Sequence, residues 1–437
     1  MSRLTNCSLR YVLQSTFRLF LIAYLLASVP GVSRAYSVFS HQELIDVTWK
    51  QWLQPLLLKR FPQTTQADLQ EAHAYAYGGC TIQDLGYYPF GNEFFSDLTH
   101  YVRTGDFIAN LLRDAKNADE YAFALGALSH YVGDNLGHHD AVNRATALAF
   151  PKLARKYGPA VTYDENPHAH VRTEFAFDID QLSKHRLAPG AYLRFIGLHV
   201  PYRLLAQAFE QTYSLPLRGI LGPGRPTIRS YRASVRSFLP RIAYAETVIH
   251  RHDFPPDVSN DALQVFLDHI ARADFQPVWN RYRHKPGIRT YLLAVLIVIL
   301  PKIGPLSDLA IKIPTPHTQD LYVRSMDRSI EAYAGMLKQL AAAPDLRPPL
   351  PNLDLDTGEK SRPGGYALTD KTYARLLRHI TANPRRPVAS DLRQNILNFY
   401  SDPNAPIATK KNPKAWAQVE EHLGVLRNMP SAAGAAN

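Results

Sequence analysis

Apolar residues recur at three- and four-residue spacing through most of the chain, the signature of amphipathic helices. In 41–56 (HQELIDVTWKQWLQPL), Leu44, Val47, Leu53 and Leu56 supply much of one apolar side. The same pattern predicts helices over 66–77 (stopped by Gly78-Gly79), 106–117, 119–132, 152–157, 168–182, 190–211, 229–247, 259–277, 319–341, 373–382, 390–400 and 415–427. Stretches that alternate with period two are scarce. The expected fold class is therefore all-α. Turn-rich connectors separate the helices: an aromatic loop at 81–91, an irregular stretch at 161–167, a proline-rich one at 342–351 and a glycine-containing one at 357–369.

Two segments depart from this pattern. Tyr291–Leu300 (YLLAVLIVIL) is continuously apolar and flanked by Arg289 and Lys302. Ten residues make only about 15 Å of helix, short of a bilayer core. It is expected to be a buried helix, with a segment dipping into a membrane surface as the competing reading. At the N-terminus, Arg3, Arg10 and Arg18 precede the apolar Leu19–Ala27, and Ser33-Arg34-Ala35 offers small residues for a peptidase. Residues 1–35 read as an export signal cleaved after Ala35; an uncleaved anchor is the alternative. The expected location is secreted or periplasmic, with a possible membrane association.

Losing that segment lowers the net charge from +11 to +7, which still favours anionic partners. Cys7 leaves with it, so Cys80 remains alone and no intrachain disulfide can brace the chain. Packing, and metal if present, must hold it together. The length suits a large domain, expected at 36–278, and a smaller helical region at 279–437 of unassigned role. No repeat, phosphate-cradling glycine loop or obligate protein partner is evident.

The densest chemistry lies in 124–143, ALGALSHYVGDNLGHHDAVN. Eight of seventeen histidines fall between His41 and His170. His130/Asp134 and His170/Glu174 each stand one helical turn apart, so each pair can present two ligands to one ion. His100 follows an Asp97-Leu98-Thr99 turn region and Asp84 sits beyond Gly78-Gly79. His138 and His139 sit where a turn at Gly137 would redirect the chain. A lone histidine on an apolar helix is ordinarily a hydrogen-bonded core residue, and His73 belongs to that class. The spaced pairs together with Asp84, His100 and His139 point instead to a shared metal site. Nitrogen and oxygen donors without thiolate suit zinc in a hydrolytic site, with manganese or iron also compatible.

In order, the segments YSVFSH, GGCTIQDLGYYPF, FFSDLTHYVRTGDF, ALGALSHYVGDNLGHHDAVN and HAHVRTE resemble the zinc-dependent phospholipase C family, which is related to the three-zinc single-strand-specific nucleases. The resemblance covers 36–180 by motif and extends to about 275 by helical content. It implies a multi-helical catalytic domain holding three zinc ions. Asp84, His100, His130 and Asp134 would hold one, and His139 (or His138) with His170 and Glu174 a second. A third would take His41, Asp134 as a bridging carboxylate, and the backbone amine and carbonyl of Tyr36 once it is the first residue. Two departures stand out. Tyr36 replaces the family's usual tryptophan. Asp140 occupies the position where the family often has a histidine after a proline, so His139 is preferred as ligand over His138, or Asp140 substitutes.

By the same resemblance, Asp84 would take the proton of the attacking water. Tyr87, Tyr88, Phe90 and Phe94 form an expected substrate rim able to touch lipid or stack a base. The missing proline-histidine ending and the apolar run favour phospholipase C, yielding diacylglycerol and a phosphorylated headgroup. A single-strand nuclease or nucleotidase is the runner-up, and a non-catalytic zinc-stabilised scaffold the rival of another class.

Overall fold

In the computed structural model, which describes residues 38–343 and 350–432, the chain is built almost wholly of helices. Among the described residues the strands amount to one parallel pair, Val388–Ala389 with Ser431–Ala432. Residues 1–37, carrying the expected export signal and Tyr36, lie outside the described part.

The helix Ala118–Gly137 runs through the core and is buried around nearly its whole circumference. Asn117 caps its first turn by accepting from the Glu120 N–H. The helix Gln66–Gly79, started by a Thr65/Asp68 capping box, packs along it at very close range. A Cβ on Gly79 would lie 2.0 Å from the Phe123 carbonyl oxygen, and one on Gly126 2.2 Å from that of Ala76. Glycine at both positions lets the two backbones meet. Across the core, the helix Pro316–Ala342 packs on the same central helix, and the Tyr333 hydroxyl donates to the Leu125 carbonyl. Residues from both sides of position 278 thus share one hydrophobic core.

The periodicity located most helices but merged some. The 41–56 prediction is Val38–Thr48, a π turn Trp49–Leu53 and Gln54–Arg60. The 190–211 prediction is two helices, Gly190–Ile196 and Tyr202–Tyr213, separated by Gly197 with a φ of 102° that ends the first. Around His100, where a turn region is expected, there is a helix, Glu93–Tyr101, capped by Asn92. The apolar run corrects a further expectation. It does form a helix, Ile288–Ile299, but only Ala294 and Ile297 are buried, and its outer face is open. No helix among the described residues is long and apolar enough to cross a membrane.

Candidate metal centre

Four helices and one 3-10 turn converge on a single buried cluster. Val38–Thr48 brings His41, Gln83–Tyr87 brings Asp84, Glu93–Tyr101 brings His100, Ala118–Gly137 brings His130 and Asp134, and Pro167–Ser183 brings His170 and Glu174. His138 enters from the π turn His138–Val142 that prolongs the central helix. All eight side chains belong to residues at most 1% exposed. Their donor atoms fall into three groups able to hold an ion: His41/His130/Asp134, Asp84/His100/His130 and His138/His170/Glu174.

The anchoring of these helices explains the convergence. Asp178, one turn beyond Glu174, accepts the backbone N–H groups of Phe39 and Ser40 at 2.9 and 3.0 Å and the Ser40 hydroxyl at 2.6 Å. A carboxylate there satisfies otherwise orphaned donors at the start of the helix and suits its dipole. His41 is thereby pinned beside the central helix, its ring stacked on His130 at 4.3 Å.

Asp134 bridges. Its Oδ1 lies 3.1 Å from His41 Nε2, and its Oδ2 lies 3.0 Å from His130 Nε2 and 3.3 Å from His100 Nε2. Asp84 approaches His100 Nε2 at 3.5 Å. Glu174 Oε1 is 2.9 Å from His170 Nε2 and 3.2 Å from His138 Nε2. The far sides of the rings show which nitrogen is free to ligate. His130 Nδ1 donates to the Cys80 carbonyl at 2.9 Å and His100 Nδ1 to the Ser96 carbonyl at 2.8 Å. Their Nε2 atoms, 3.2 Å apart, then face each other with lone pairs unless a proton or a cation lies between. The Glu174 and Asp134 oxygens and His170 Nε2, all buried, meet neighbouring ligand side chains but without hydrogen-bond geometry, and the buried His170 Nδ1 has no hydrogen-bond partner. Such a set is costly unless a cation satisfies it. The donor chemistry is that of zinc.

The protons respond to the same crowding. Burial would lower His100, but Asp134 and Asp84 outweigh it and raise its pKa to about 10. Burial also opposes His138, which Asp134, Asp356 and Glu174 push well above the ordinary imidazole range. His41 is held below that range by burial and by His130. Asp134, despite burial, is driven far below the carboxylate range by His130 and His138.

The His138/His170/Glu174 group corrects the ligand preferred from the sequence. His138 is fully buried against Glu174, whereas His139 points outward, its side chain 65% exposed and paired with Asp140 at 2.8 Å. Asp140 itself is tied to Arg328 on the surface side. The reason is helical phase. Gly137 keeps helical angles (φ −65°, ψ −45°) and does not turn the chain, so His138 stays four residues from Asp134 on the same face.

The expected aromatic rim is mostly core. Tyr87 and Tyr88 are buried, with Tyr87 6.0 Å from the His100 ring and Tyr88 packed on Tyr231. Phe94 is buried between His379, stacked at 4.4 Å, and Arg375. Of the four, Phe90 alone projects into solvent. His73 is paired with Asp46 at 2.9 Å and stacked on Trp49, outside the three groups.

One residue escaped the sequence reading. Asp356, from the 350–366 connector, places Oδ1 3.1 Å from His138 Nδ1, while its Oδ2 accepts from the Tyr101 and Tyr366 hydroxyls at 3.0 and 2.6 Å. It fixes the His138 ring with Nε2 turned toward Glu174, as a carboxylate behind a metal-bound imidazole does. The only hint was the Asp-Leu-Asp-Thr-Gly run at 354–358.

Fold and site together define an all-α, metal-dependent hydrolase. Residues 40–220, which carry all eight clustered side chains, match the family model described as zinc dependent phospholipase C. No protein of curated function and no solved structure matches the chain. The three groups are consistent with three zinc ions, and the chain is a zinc-dependent phosphodiester hydrolase.

Proposed function

We propose that the protein is an exported phospholipase C that hydrolyses glycerophospholipids to diacylglycerol and a phosphorylated headgroup. The observation that carries this reading is that all three ligand groups fall within the segment matching the phospholipase C family. Zinc bound by these groups would acidify a water molecule and stabilise the charge that grows on the phosphoryl oxygens.

The chain's own groups do the rest. Asp84, beside His100, accepts the proton that the attacking water gives up. The water oxygen joins phosphorus as the bond from phosphorus to the glycerol oxygen breaks, and the leaving alkoxide becomes diacylglycerol by taking a proton from solvent water, which the proton held on Asp84 then restores. The carbonyls of Cys80 and Ser96 hold His130 and His100 with Nε2 inward, and Asp356 does the same for His138. Export fits the same reading, because removal of 1–35 would free the Tyr36 amine as a further ligand; N-terminal mass analysis of the secreted chain checks this.

The zinc-loaded protein is offered phosphatidylcholine, a phosphoinositide and single-stranded DNA, with diacylglycerol and nucleotides measured. Diacylglycerol release, reduced about 100-fold or more in Asp84→Asn, is the expected result. Nucleotide release alone would make it a nuclease. No turnover of any substrate at full metal occupancy would make it a scaffold.

A further inference from the structure

The helix Ile288–Ile299 shows an unusual division of its apolar side chains. Ala294 and Ile297 pack inward against the neighbouring helix Leu239–Ile249. Ile288, Leu292, Val295, Val298 and Ile299, with Ile303 just beyond, are each 59 to 76% exposed, and Tyr291 is about half exposed. Their spacing of three and four residues lines them along one side of the helix. A contiguous apolar strip of this kind on a folded surface marks an interaction site.

What lies beside the strip identifies its partner. A cavity of about 550 Å³ opens at the start of the same helix, where Arg289, Thr290 and Leu293 form part of its wall. Arg194, Arg241 and Lys285 complete a cationic lining that contains no aspartate or glutamate. None of these four cations forms an ion pair with a described residue. Positive charge is crowded there: burial, Arg232 and Arg194 together hold the Arg236 guanidinium below its usual range.

A second copy of the chain is a poor match, since a two-fold contact would bring these uncompensated cations face to face. A spanning role is excluded by length, because twelve residues cover about 18 Å against a bilayer core of about 30 Å. An apolar strip beside a cationic pocket is the combination that lies in the headgroup region of an anionic membrane.

We propose that the Ile288–Ile303 face and the Arg194/Arg241/Lys285/Arg289 pocket dock the protein on an anionic phospholipid surface. The apolar side chains enter the acyl boundary, and a lipid phosphate occupies the pocket. This deepens the phospholipase reading, on which it rests for its purpose, by stating how the enzyme reaches substrate at a membrane.

Binding and hydrolysis are scored separately. The full zinc-loaded chain is floated with vesicles of phosphatidylcholine alone or mixed with phosphatidylglycerol, and turnover is measured on a dispersed short-chain phosphatidylcholine. Wild type should favour the mixed vesicles. Leu292→Glu/Ile299→Glu should weaken binding to both kinds about tenfold or more, with zinc content and short-chain turnover unchanged. Lys285→Glu/Arg289→Glu should bind pure phosphatidylcholine as wild type does but lose the preference for the mixture. Vesicle binding undiminished in the first variant assigns membrane affinity to another segment and overturns the proposal. So does a wild-type dimer that the first variant dissociates, which would make the strip a self-contact. Failure of short-chain turnover in wild type would strike the phospholipase reading and leave membrane docking standing.

Discussion

At His138 and His139 the difference between a ligand and a surface residue is one step of helical phase. The sequence offers two adjacent imidazoles and a glycine, and a turn at Gly137 would have brought the second inward. Gly137 instead remains helical, and the π turn that follows keeps His138 above Asp134. Extra-residue turns of this type recur at functional sites because they re-aim a side chain without ending the helix. His138→Ala should therefore lose about one equivalent of bound metal and at least about 100-fold in activity. His139→Ala, which gives up only the Asp140 contact, should stay within a few-fold of wild type. Metal content by elemental analysis alongside kcat/KM checks both, and the reverse ranking would restore His139 as the ligand.

At the scale of elements, the carboxylates spaced along a helix do different work. In Pro167–Ser183, Glu174 faces the ligand cluster while Asp178 caps the first turn of the helix that carries His41. In Pro316–Ala342, Asp327 has no such partner for its Oδ1. Burial and Glu331 raise its pKa to about 7, against the pull of Arg324. Between its ordinary range and that value the native state keeps a proton the unfolded chain has lost, so this group's contribution to stability falls as pH rises. Asp327→Asn should raise stability by about 1 kcal/mol at pH 8, after discounting for solvent screening, and by less at pH 6. Chemical unfolding at the two pH values tests this; an equal gain at both would assign the effect to packing. The same distinction sets what the sequence could reveal. His130/Asp134 and His170/Glu174 were legible because both members of each pair share a helix face. The helix around His100 was not, since its Asn92 cap and short amphipathic run read as a turn. The open face of Ile288–Ile299 was not either, because a continuously apolar run carries no periodicity to say which side is covered.

Across the whole molecule, the centre is closed by a segment far from its ligands in sequence. The 350–366 connector threads between ligand-bearing helices. The Tyr131 hydroxyl donates to the Pro351 carbonyl, the Leu355 N–H donates to the His100 carbonyl at 3.1 Å, and Asp356 receives His138. These contacts join long-range partners, and Asp356 and the helix after it lie beyond the family match, so no local pattern could announce them. Thermodynamically, metal that binds only the folded cluster stabilises the whole fold, by about 4 kcal/mol at a free concentration 1,000 times its dissociation constant. Chelation removes that contribution and leaves the buried imidazoles and clustered carboxylates to be satisfied by protons alone, with relief available first by opening the connector. Treatment with a chelator should therefore lower Tm by several degrees and speed amide exchange at Leu355 before exchange rises in Ala118–Gly137. Asp356→Asn, which keeps the shape but weakens the grip on His138, should reduce metal affinity about 10- to 100-fold and move half-chelation to a lower chelator concentration. Exchange that rises first in the central helix, or an Asp356→Asn variant with wild-type metal affinity, would show that the connector packs over the centre without holding it.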